Sequence, residues 1–174
     1  MWPAEALEGW RDFYVLVGTA GATLLALLFV AATLGAGYLS EARQEGTRTF
    51  MSPVVIHFAS IFFLSAVALV PHHQASFYAI VIGAAALVGA SLSCVITVLV
   101  MRTDMTTYWQ DYFAYGLWPA VAYVALLAAA ALIYWRVEVG LDVLAGALLL
   151  LAVVNIRNAW DLTLAMVRHH RAEP

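Results

Sequence analysis

The sequence has little charge to offer water. Asp, Glu, Lys and Arg make up 11% of its 174 residues, and 64% are hydrophobic. An ordinary soluble domain carries roughly 25% charged residues. With this shortage, and with apolar residues in long blocks, a soluble globular domain is excluded and membrane-spanning helices are indicated. Lysine is absent: all eight basic residues are arginine. A net charge of −3 and a pI near 5.9 argue against nucleic acid as a partner.

Reactive groups are equally scarce. Cys94 is the only cysteine. It lies inside an apolar run, so an internal disulfide is excluded and a thiolate metal site is disfavoured. No HExxH, GxSxG or phosphate-binding glycine loop occurs. His57 and His72 stand fifteen positions apart, about 22 Å at helical rise, too far to share a haem. No other apolar run holds a histidine to complete an axial pair. No cofactor and no metal is therefore expected. Of three functional readings, an enzyme using His57 with Asp161 is the least supported.

What the chain does have is hydrocarbon in blocks, with a mean hydropathy of +0.88. Apolar runs predict an all-α integral membrane protein, a single transmembrane domain over 1–174. Five transmembrane helices are expected at about 13–39, 53–70, 77–101, 117–135 and 141–167. An acidic segment with Glu5, Glu8 and Asp12 precedes the first run. A secretory signal starts positively, so this run reads as a retained span. Gly18, Ala22 and Ala26 form a strip for close helix approach, as do Gly83, Ala86, Ala90, Ser93 and Thr97. Residues 40–48 read as a charged loop, and Ser52-Pro53 as an N-cap followed by a first-turn proline. Pro71 closes the second span and Pro119 stands near the start of the fourth.

Between spans three and four the pattern changes. Met105, Tyr108, Trp109, Tyr112 and Phe113 recur at helical spacing, while Asp104, Thr107, Gln110 and Asp111 take the other face. This predicts a short interfacial amphipathic helix over 103–113. With five spans the termini lie on opposite sides. Arg43, Arg48, Arg102, Arg168 and Arg171 share one side, and Arg11 and Arg136 the other. The arginine bias puts the N-terminus outside and the C-terminus in the cytoplasm. The expected location is a cell membrane, multi-pass, with a bacterial inner membrane favoured.

The candidate site lies in the last span. Asn155, Arg157, Asn158 and Asp161 fall on one arc at 100° per residue, with Val153, Ile156 and Ala159 opposite. Such groups are costly in lipid, so the arc is expected to face protein or water. Arg157 and Asp161, at i and i+4, can pair. Either they neutralise one another while the asparagines join helices, or the arc lines water. His57 falls at a similar depth, with Arg102, Asp104 and Asp111 as a secondary rim, and the outer half of every span reads as nearly pure hydrocarbon. The expectation is an oligomeric channel or small facilitator with a polar, cytoplasm-facing vestibule conducting ions. The alternative is a non-conducting accessory or regulatory subunit of a larger membrane complex. The expected partners are membrane lipid, further copies of the chain, and a protein at the cytoplasmic rim.

Overall fold

The computed structural model describes residues 8–36, 41–70, 74–102 and 113–170. Among the described residues five long helices follow one another: α1 (Arg11–Ala36), α2 (Glu41–Ala68), α3 (Ala75–Arg102), α4 (Trp118–Tyr134) and α5 (Val139–His170). A π turn, Phe113–Leu117, leads directly into α4. The predicted interfacial helix lies almost wholly outside the described residues. Only Phe113 is seen, as the first residue of the π turn.

Among the described residues four helical stretches are long and apolar enough to cross a membrane: Arg11–Thr33, Ala75–Val95, Phe113–Tyr134 and Val139–Leu164. The apolar part of α2, Pro53–Ala68, is shorter. The helix itself begins at Glu41, and Phe50 and Met51 before that stretch and Leu69 and Val70 after it continue the apolar run in the sequence. The expected start of this span is corrected. No loop precedes Ser52-Pro53, because the helix runs unbroken from Glu41 with Pro53 in its interior. Glu41, Ala42, Arg43, Gln44 and Glu45 are strong helix formers. The single backbone bond that Pro53 forfeits does not outweigh them together with the packing of Val54, Phe58, Ile61 and Leu64, all buried.

Successive helices run antiparallel. Gly83 faces Ala130 and Gly89 faces Tyr123, while Gly18 faces Ser65 and Gly21 faces Ile61. The principal packings are α3 on α4, α4 on α5 and α1 on α2. Lesser contacts of α2 with α5 and α3 close a four-helix ring with α1 outside it. The α1 strip differs from the expected one, for Gly18 and Gly21 make the approach while Ala26 is exposed. A methyl group at Gly18 would stand 2.9 Å from the Ser65 Cβ, so only glycine admits this spacing.

The inner faces carry Tyr14, Phe58, Leu64, Ile82, Leu126, Leu144 and Leu148, all buried. The outer faces are just as apolar, with Leu16, Ile80, Leu87, Val124 and Val153 exposed. That is the surface a helix bundle presents to lipid. Outward hydroxyls satisfy themselves locally: Thr23, Thr33, Ser91 and Thr163 each donate to the carbonyl four residues back at 2.8 Å.

The α4–α5 connection is a Schellman turn. Arg136 adopts a left-handed φ of 59°. Its N–H donates to Ile133 O at 3.0 Å, and Val137 N–H to Leu132 O at 2.9 Å. Gly140 follows because a Cβ there would press on Ile133 and Leu132 at 2.9–3.0 Å.

Candidate functional site

Three polar layers, each about one helical turn from the next, cross the ring near its middle and towards the Arg157 end. In the first, His57 of α2 is 2% exposed. Its Nδ1 lies 2.8 Å from the Tyr123 hydroxyl of α4. Ser60 Oγ is 3.4 Å from the same hydroxyl and itself donates to Ile56 O at 2.8 Å. The Tyr123 ring lies over Gly89 of α3, where any Cβ would overlap it. Three helices are thus keyed together by one tyrosine.

The second layer is Asn155, whose Nδ2 donates to Val54 O at 2.9 Å. The third is Asn158, whose Nδ2 donates to Ala114 O at 2.9 Å, while the Tyr115 hydroxyl donates to Asn158 O at 3.2 Å. This layer has a chemical cause in the sequence. In the π register, Ala114 O would accept from the N–H of residue 119, which is proline and has none. Asn158 supplies the missing donor from the neighbouring helix. Asn155 Oδ1 and Asn158 Oδ1 have no partner among the described residues.

The four residues of the arc do not share one environment. Asn155 and Asn158 are buried against α2 and the π turn. Arg157 and Asp161 point outward, their side chains 48% and 43% exposed, with Arg157 Nε 3.8 Å from Asp161 Oδ2. Trp118, Val153, Val154, Leu150 and Ala114 border the Arg157 side chain along a groove of about 260 Å³. Arg102 ends α3, while Asp104 and Asp111 lie outside the described residues.

The half of the bundle away from Arg157, expected to be nearly pure hydrocarbon, also holds buried polar groups. Ser65, Tyr14 and Tyr78 are all buried there, with Tyr14 and Tyr78 as neighbours. Tyrosine near the end of an apolar run reads as an interfacial anchor. Only packing reveals that these two turn inward.

Tyr123, Tyr115 and Gly89 complete the site and were not singled out by sequence reasoning. For Tyr115 and its neighbour Ala114 a signal existed, because Pro119 leaves an upstream carbonyl in want of a donor. For Tyr123 and Gly89 none did, since their fit depends on the pairing of α3 with α4. Chemically, the arrangement is a set of helix-to-helix hydrogen bonds. Among the described residues no group of three or more His, Cys, Asp or Glu could hold a metal ion. In comparison with known proteins, no family model, no curated protein and no solved structure matches this chain.

Proposed function

We propose that the chain is a non-conducting accessory or regulatory subunit of a larger membrane assembly. The observation that carries this reading is the closure of the polar core. A conducting path needs a continuous wettable lining. Here both asparagine Nδ2 groups are used on Val54 O and Ala114 O, and His57 is used on Tyr123, while the two asparagine Oδ1 atoms, without a partner among the described residues, are enclosed. Such pairs join helices in lipid, where an unmet polar group is expensive. The chain crosses the membrane five times, with the N-terminus outside and the C-terminus in the cytoplasm. The arginine distribution supports that orientation. In it Glu41, Arg43, Arg48, Arg102, Asp104 and Asp111 fall on the cytoplasmic side by their order in the sequence, and that side is where a partner protein would bind. A bacterial inner membrane fits the same pattern.

A second reading, a homo-oligomeric ion channel, is favoured by one specific observation. Arg157 and Asp161 form an ion pair on the outward side of α5, which would become a lining if copies packed there. Flux through purified protein in liposomes separates the two. The accessory reading expects no ion flux above protein-free vesicles over a range of pH and voltage. Flux that changes with Asp161→Asn or Arg157→Gln would replace it with the channel reading.

A further inference from the structure

A groove on the outer surface, between the π turn with the start of α4 and the second half of α5, has a shape and chemistry that the polar core does not explain. Its floor and walls are Ala114, Trp118, Leu150, Val153 and Val154, and one guanidinium, Arg157, stands at its edge. Trp118 and Trp160 are both exposed. Trp160 stands about one turn beyond Arg157 on the same helix.

Depth decides what fills it. Val139 begins α5, and Arg157 follows about 27 Å along at helical rise, close to the roughly 30 Å of a hydrocarbon core. Trp118 lies about 24 Å from Tyr134 along α4. Tyr134 and Trp135 are exposed at the opposite end of the bundle. Two aromatic girdles therefore flank the apolar faces, and Arg157 sits at the level of one of them, where lipid phosphates begin. Its contact with Asp161, at 3.8 Å from Nε, leaves most of its five N–H donors uncommitted to that partner. A guanidinium at phosphate depth above an apolar groove is complementary to a lipid with an anionic head and a hydrocarbon tail.

We propose that this groove is a binding site for one anionic phospholipid, with an acyl chain along Trp118, Leu150, Val153 and Val154 and the phosphate on Arg157. The site discriminates by charge, since the groove accepts the chain of any lipid and only the guanidinium distinguishes the head. Asp161 tempers that preference by competing for the same guanidinium. This proposal requires that α5 span the membrane, and it is independent of whether the protein conducts.

Native mass spectrometry of the full chain tests it, with phosphatidylglycerol and phosphatidylcholine of identical chains offered together. The wild type is expected to retain one phosphatidylglycerol in preference to phosphatidylcholine. Arg157→Gln is expected to lower that preference about fivefold, the contribution of one arginine at an anionic surface. Arg157→Lys should keep most of it, and Asp161→Asn should raise it. Val153→Trp, which fills the groove, should lower retention of both lipids. Equal retention of the two lipids by the wild type, or a preference untouched by Arg157→Gln, would overturn the proposal. Displacement of the lipid by millimolar inorganic phosphate would reassign Arg157 to a free anion and overturn it too. So would a dimer that Val153→Trp dissolves without changing the lipid count, because a second copy would then occupy the groove.

Discussion

Tyr123 is the residue on which the interior turns. Its hydroxyl meets His57 and its ring occupies the space that Gly89 leaves. Tyr123→Phe keeps the ring and removes the hydroxyl, so the buried imidazole loses its partner. The expected cost is about 1–3 kcal/mol of unfolding free energy in detergent. Combined with His57→Leu, the loss should be less than the sum of the two single changes, with a coupling of about 0.5–3 kcal/mol. Strict additivity would mean that the 2.8 Å contact carries no energy. Gly89→Ala forces the ring from its seat, and overpacking of this kind costs about 1–3 kcal/mol. A lowered melting temperature of the purified protein checks it. His57 was legible as a polar oddity in an apolar run. Its partner was not, because a tyrosine sixty-six positions away carries no mark of the face it will turn inward.

The helices themselves were readable from hydropathy, and their ends were readable only where backbone chemistry is local. Pro53 looked like a start and is an interior residue, since propensity upstream and burial downstream both favour continuing the helix. Pro119 sits at the start of α4 as expected, but its larger consequence is the carbonyl it leaves for Asn158. Asn158→Leu is therefore expected to destabilise the fold by about 1–3 kcal/mol. Pro119→Ala, by restoring an N–H, should reduce that loss. Equal losses in both backgrounds would show that the asparagine does not act through the proline. At the other end of α4, Arg136 holds a left-handed conformation that costs an L-residue roughly 1–2 kcal/mol. Arg136→Gly should raise stability by about that amount, read as a higher midpoint in thermal unfolding.

At the scale of the molecule, all-helical membrane architecture followed from composition, and the division of the polar arc did not. A helical wheel places Asn155, Arg157, Asn158 and Asp161 within one sector. Which edge of that sector meets α2 and which meets the outside is decided by neighbours that the wheel does not contain. The orientation proposed above has a direct check. Reporter fusions after Arg48 and after Arg171 should both report the cytoplasm, and a periplasmic signal from either would reverse or renumber the spans.

The position of α1 outside the four-helix ring has a mechanical consequence. Its main seat is α2, approached through Gly18 and Gly21. An element held chiefly on one side opens at lower free energy than the body it leans on. Under a pulling force applied to the two ends of the chain, α1 should therefore peel away before the ring yields. Gly18→Leu should lower the force of that first step and leave the later ones unchanged.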